Sequence, residues 1–306
     1  VSSYVKAVRL LVLCAFLGIP AAGVHAAANW GVDLGNSNLN IMANTYADSA
    51  INGFDPGPHY ADAQLTNVFV PGFINGPDTF DLGAALNPLG NDEDLSTSPP
   101  TITSASSVGI ITIDGIGGST LEINWRANTL NDFIGYEGFL SDSAAIILSQ
   151  IRATIDGVAP GTKVKIGYDW DYFATAVPDH EDVMEDPESA GGGAGFFDDQ
   201  GTGPGNLFNT FVAEPGILTS IDADNGSYNL LTSNPKSYLD ISLDGNSTIT
   251  MDGPGNDPLD ALQEDTAGSE FLGRLTLTLS LVVPEPASMT LGVMALVALL
   301  TVRRRA

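Results

Sequence analysis

Arg274-Leu275-Thr276-Leu277-Thr278-Leu279-Ser280-Leu281 alternates polar and apolar residues without a break. In an extended chain the four leucines fall on one side and the arginine, threonines and serine on the other. A helix would scatter the leucines around its circumference, so the octapeptide predicts a strand with one face buried and one face wet. The same period recurs over Val108 to Asp114, Thr120 to Arg126, Ile151 to Ile155, Lys163 to Tyr172, Ser237 to Leu243 and Ser247 to Met251. Turn-forming pairs punctuate these runs: Asp114-Gly115, Asp156-Gly157, Pro160-Gly161, Asn225-Gly226, Asp244-Gly245 and Asp252-Gly253. Helical spacing is scarce, with a turn or two expected over Asp142 to Leu148. Many short strands at regular spacing predict an all-β chain folded as an antiparallel β-sandwich, with a jelly roll as first choice.

Residues 29–100 differ in texture. They are rich in Asn, Gly, Pro and Asp, with short apolar pieces such as Val68-Phe69-Val70. They read as the loop-rich first strands of the same sandwich, with a separate small domain as the alternative. The 306 residues include 34 Gly and 18 Pro, which makes the chain loop-rich, but 43% are hydrophobic, enough for a sizeable core. The formal charge is −26, from 11 Lys and Arg against 37 Asp and Glu. Nucleic acid is thereby excluded as a partner, because phosphate binding needs clustered cations. A surface this acidic stays soluble, repels polyanions and attracts divalent cations. The single cysteine, Cys14, excludes disulfides from the body of the chain.

The two ends carry a different message. Lys6 and Arg9 precede the apolar run Leu10 to Ala22, and small residues follow at Ala26, Ala27 and Ala28. This is the layout of a secretory signal peptide over residues 1–28, cut after Ala28 or, alternatively, after Ala26 by signal peptidase. At the other end, Pro284-Glu285-Pro286 leads into the uncharged stretch Ala287 to Val302, followed by Arg303, Arg304 and Arg305. As a helix rising about 1.5 Å per residue that stretch spans about 24 Å, and snorkelling arginines extend its reach toward a bilayer of about 30 Å. The basic cluster is expected to stay on the cytoplasmic side of the inner membrane. Both ends then place residues 29–283 outside it.

These three features, in this order and at this end, resemble the PEP-CTERM sorting signal: a Pro-Glu-Pro triplet, a transmembrane helix and a terminal arginine cluster. The resemblance is confined to residues 284–306. It implies that an exosortase, a membrane transpeptidase, recognises and processes the tail. It also implies a bacterial producer of exopolysaccharide and a final destination at the cell surface or in the extracellular matrix. It says nothing of what the body does.

In the body, catalytic signatures are few. It holds two histidines, His59 and His180, and no cysteine, too few for a structural zinc site. There is no HExxH helix, no phosphate loop and no GxSxG elbow. His59 is expected in a loop. The segment Asp179 to Glu188, with six acids, reads with the following Gly191 to Gly195 as a solvated loop. Asp222-Ala223-Asp224-Asn225-Gly226-Ser227 sets alternating carboxylates before a glycine turn, so Asp222 and Asp224 are the candidate calcium ligands, although the spacing departs from an EF-hand. Asp169 and Asp171 share a face of a strand and are expected to be solvent-facing, to bind a metal, or to touch carbohydrate beside Tyr168 or Tyr172. No cofactor is required by any motif. The sequence therefore points to a structural or adhesive protein associated with exopolysaccharide and not to an enzyme, with a secreted polysaccharide hydrolase as the alternative.

Overall fold

The computed structural model describes residues 27–49, 59–66, 78–86, 93–94, 101–135, 139–177, 188–213, 219–233, 236–252 and 263–282. The sequence readings at residues 1–26 and 283–306, and the acids from Asp179 to Asp186, lie outside these. Fourteen strands are described: β1 (Asn29–Val32), β2 (Asn40–Ser49), β3 (His59–Thr66), β4 (Asp78–Leu86), β5 (Glu93–Asp94), β6 (Thr101–Asp114), β7 (Thr120–Gly135), β8 (Phe139–Asp156), β9 (Lys163–Val177), β10 (Ser189–Asp198), β11 (Gly205–Ala213), β12 (Thr219–Leu231), β13 (Tyr238–Asp252) and β14 (Gln263–Leu281). The only helical piece among the described residues is the 3-10 turn Leu34–Asn36.

The strands form two antiparallel sheets of seven. The first runs β11-β10-β13-β8-β2-β3, with β1 beside the far end of β8; the second runs β12-β9-β14-β7-β6-β4, with β5 beside β6. The alternation of Leu275, Leu277 and Leu279 buries all three between the sheets, as the octapeptide predicts. Opposite them, β8 buries Ala145, Ile147, Ile151, Ala153 and Ile155. One continuous core joins both sheets, with Trp30, Trp125, Phe196 and Phe271 its largest fully buried side chains. At the β9 end, Trp170 and Tyr172 stack on Phe208 of β11 with ring centroids 4.8 and 4.9 Å apart, closing the sandwich with an aromatic layer.

Several expected breaks are absent. Asp244-Gly245 and Asn225-Gly226 are not turns: β13 and β12 run straight through them. Each glycine instead leaves room for an aromatic ring. A Cβ on Gly245 would sit 3.3 Å from the Trp125 ring, and one on Gly226 would sit 2.4 Å from the Tyr168 ring. The short helix expected over Asp142 to Leu148 is the start of β8, because Ser143, Ala145 and Ile147 continue the inward alternation of Ile151 to Ile155. The glycine run is not a solvated loop but the buried strand β10, where a Cβ on Gly192 would collide with the Phe271 ring at 2.5 Å. Glu188, just before it, is buried as well. The turns at Asp114-Gly115, Asp156-Gly157 and Pro160-Gly161 fall between strands as expected, Gly157 at φ 77°.

Candidate functional site

Asp222 and Asp224 stand in the extended edge strand β12, opposite Tyr172 and Trp170 of β9. Strand alternation puts both on the side that faces the other sheet, but at the open margin, where both are exposed. Each carboxylate folds back on its own strand: Asp222 accepts from the Ala223 N–H at 2.8 Å and Asp224 from the Asn225 N–H at 2.7 Å. Among the described residues, no three His, Cys, Asp or Glu side chains gather as a metal would require. The turn geometry that made this pair attractive is absent.

Asp169 and Asp171 do share the outer face of the second sheet, and Asp171 pairs with Arg274. The expected neighbours Tyr168 and Tyr172 point the opposite way, into the sandwich. Tyr168 meets Phe196 edge-on at 5.7 Å and the Tyr172 hydroxyl lies 3.1 Å from that of Ser220. Odd and even positions of one strand cannot serve one sugar. His59 opens β3 opposite Ala47 and is in a strand, not a loop.

The outer face of the first sheet carries an arrangement that the sequence reading missed. There β10 presents Gly191, Gly193 and Gly195, and over Gly193 and Gly195 lies a trough of about 560 Å³. Glycine is demanded by the close approach of β11: a Cβ on these residues would meet the carbonyl oxygens of Thr210, Phe208 and Gly205 at 2.6, 2.9 and 2.8 Å. A bulge between Ala194 and Gly195 adjusts the register. The pairings set Asn209 and Asn206 on one bank, from β11, and Asn246, Asp244 and Ser242 on the other, from β13, with Leu148 and Gln150 of β8 behind them. Phe211 stands beside Gly191 and Phe197 at the other end, 63% and 55% exposed. Six residues of extended chain separate the rungs of the two rings, about 20 Å.

Apart from the Asp244 carboxylate, the chemistry of the trough is neutral and hydrogen-bonding. Amides both donate and accept, and a hydroxyl does the same. Among the described residues no Lys or Arg lines it; Arg152, further along β8, is held by Asp240 through two bonds of 2.6 and 2.7 Å and lies over the Tyr238 ring. Asp244 has no ion pair among the described residues, and burial holds its carboxyl above the usual carboxylate range, against a hydrogen bond from Gly245 that lowers it. The one sequence signal that marks this site is a glycine at every second position of a strand, which leaves one face bare.

Comparison with known proteins assigns nothing further. No family model matches the chain, and no curated protein does. Solved structures of the Gx and Gt strains of infectious bursal disease virus align at 12% and 14% identity over 85% and 91% of this chain and 73% and 76% of theirs. Their TM-scores are 0.13 and 0.12, so the likeness carries no argument about fold or function.

Proposed function

We propose that the chain is an exported protein of the cell surface or extracellular matrix, with a structural or adhesive role on exopolysaccharide. Export rests on the sequence of the two ends. The N-terminal segment is a signal peptide, and Pro284-Glu285-Pro286 with Arg303, Arg304 and Arg305 directs the tail to an exosortase. The body is a jelly roll. This is supported by the pairings β7 with β14, β8 with β13, β9 with β12 and β10 with β11, each nested inside the one before across two sheets.

The observation that carries the adhesive reading is the glycine-floored trough. An extended neutral glycan offers hydroxyls to Asn206, Asn209, Ser242 and Asp244 and an apolar ring face to Phe197 in the trough, and reaches Asn246 and Phe211 beside Gly191 beyond it. On this reading the glycan is held and released unchanged, and Asp244 serves as an acceptor for its hydroxyls. Calcium is proposed as a further ligand of the acidic body, with Asp222 and Asp224 providing part of the six to eight oxygens that it takes. A glycan array probed with the exported protein, scored for binding and for turnover, tests the reading. Binding that weakens in Asn209→Ala and Asp244→Ala, without turnover, supports it. Turnover abolished by replacing one carboxylate establishes a hydrolase instead.

A further inference from the structure

The outer face of the second sheet is the place where apolar surface and positive charge both collect. Of the eight large apolar side chains exposed among the described residues, five lie here: Leu130, Val177, Ile221, Leu231 and Leu272. The register aligns Ile221, Phe173, Leu272, Arg126 and Ile110 in one rung across five strands. That rung lines a shallow groove of about 800 Å³. Ile221 is 71% exposed in an isolated copy. The rung is flanked by two ion pairs, Arg126 with Glu270 at 2.7 Å and Arg274 with Asp171.

Charge decides what can cover this face. A chain of net charge −26 repels its own copies wherever acids dominate. Yet between residues 29 and 283 there are only six Lys and Arg, and four of them, Arg126, Lys163, Lys165 and Arg274, face outward from this sheet. Within the three rungs centred on Ile221, Phe173, Leu272, Arg126 and Ile110, Arg126 and Arg274 are matched by Asp171 and Glu270, so this central part of the face carries no net charge. A second copy approaches here without the repulsion it meets elsewhere. Five strands and three rungs measure about 24 by 20 Å, on the order of 500 Å² per copy. Two copies together bury on the order of 1,000 Å², the lower bound for a specific interface.

We propose that two copies of this chain associate back to back through this face, in an isologous dimer with the Ile221–Phe173–Leu272 rung at its centre. The troughs of the first sheets then point outward on opposite sides. On the glycan reading above, the dimer becomes a bivalent cross-link between polysaccharide strands, with avidity beyond that of either trough.

Sedimentation velocity of the exported protein over a concentration series, without glycan, tests the association independently of any sugar. The expected result is a monomer–dimer equilibrium in the wild type. The double variant Ile221→Lys, Leu272→Arg is expected to raise the dimer dissociation constant at least about tenfold. Its circular dichroism should match wild type, since neither side chain is in the core. The control Phe211→Ser, on the opposite face, leaves the dimer intact. A wild-type monomer at 100-fold the concentration of the glycan assay overturns the proposal, and so does a dimer that survives the double variant or is lost in Phe211→Ser. A monomer that carries a different protein on this face overturns it too. Loss of glycan binding with an unchanged dimer overturns the trough reading alone.

Discussion

The indole N–H of Trp125, on β7, donates to the carbonyl oxygen of Asp244, on β13, across 2.9 Å. One bond thus ties the two sheets together directly behind the trough. The ring that makes it is fully buried, lies 6.0 Å from Phe208 and 6.1 Å from Phe271, and fills the space above Gly273. A Cβ on Gly273 would sit 2.4 Å from two ring atoms, closer than any packed carbon. The outward position of Asp244 is fixed from the inside.

Gly273→Ala is therefore expected to destabilise the fold although it adds a single methyl to a strand that would otherwise gain from losing a glycine. The rigid ring cannot yield without leaving its hydrogen bond, and overpacking of this kind costs about 1–3 kcal/mol. For a domain of this size that is a fall of several degrees in Tm, about 2–4 °C for each kcal/mol. Gly161→Ala is the control: a Cβ there meets nothing within 4 Å, and only its φ of 81° resists. Thermal unfolding followed by near-ultraviolet circular dichroism, which reads the tryptophan environment, checks both. A Gly273→Ala protein as stable as wild type would show that the ring is not held as described.

Asp244 should be a stability cost at neutral pH. Burial disfavours its charged form, so its carboxyl titrates above the range of an unfolded aspartate. The native state then binds this proton more tightly than the unfolded chain does. The penalty is fully present above the folded pKa and disappears as pH falls below the unfolded value of about 3.9. Asp244→Asn is expected to raise Tm at pH 7, and the gain should shrink to nothing near pH 3. A gain that persists at pH 3 would mean that the asparagine stabilises by some other contact.

At the open edge, Asp222 and Asp224 have a physical use that does not depend on a metal. β12 is thirteen residues long and bounds the second sheet. A long, free edge invites pairing with another chain, and inward-pointing charge at the margin is one way to block it. Replacing both with valine is expected to produce concentration-dependent aggregation with increased strand content, read by light scattering and thioflavin fluorescence. The double asparagine variant, lacking charge but not bulk, should fall between. The same proteins test calcium. A calcium-specific rise in Tm over magnesium at matched ionic strength, lost in the asparagine variant, supports the proposed site. A rise that survives it moves calcium elsewhere, and no specific rise removes calcium from the reading.

How much of this was legible follows from what a side chain reports. Leu275, Leu277 and Leu279 announce a half-buried strand because each contributes its own apolar area, and the fold class followed from such runs. Gly245, Gly226 and Gly191 to Gly195 report nothing on their own. Their meaning lies in Trp125, Tyr168 and Phe271, 58 to 120 positions away, and in the β11 backbone, which pairs only once the sheet exists. Asp-Gly and Asn-Gly read as turns when only neighbours in sequence are weighed, and as seats for rings once the opposite sheet is in place. Asp142 to Leu148 looked helical for the same reason: small and polar residues such as Ser143 and Ala145 are inward in a strand but carry too weak an apolar signal to show the period. The trough, built from absent side chains and cross-strand amides, had no local signature except the spacing of its glycines.

The mature N-terminus is expected at Ala27 and not at Asn29. Of the two cleavage points that the small residues allow, the one after Ala28 removes a side chain that is 5% exposed and packs in the core. Cleavage after Ala26 keeps Ala28 in place, and Ala27 with it, whose carbonyl oxygen lies 2.6 Å from where a Gly157 Cβ would stand. N-terminal sequencing of the exported protein decides between them. Asn29 as the first residue would show that the core tolerates losing the Ala28 methyl.

The tail should be processed at its apolar boundary. On the proposed sorting reading, the stretch from Ala287 to Val302 is expected to halt translocation in the bilayer, and Arg303, Arg304 and Arg305 to keep its end inside, because carrying three charges across is costly. Pro284 and Pro286 neither extend the sheet that ends with β14 nor enter a helix interior. On the proposed sorting reading they are expected to keep Glu285 extended at the outer boundary of the membrane, within reach of a membrane transpeptidase. Neutral residues in place of the three arginines are expected to impair retention and processing together. Alanines in place of Pro284-Glu285-Pro286 are expected to leave the protein inserted but uncut. Mass spectrometry of the native protein checks the outcome: the mature chain should lack the peptide from Ala287 to Val302. Finding that peptide still joined to most of the mature chain would make the tail a permanent anchor and would remove the exosortase from the proposal.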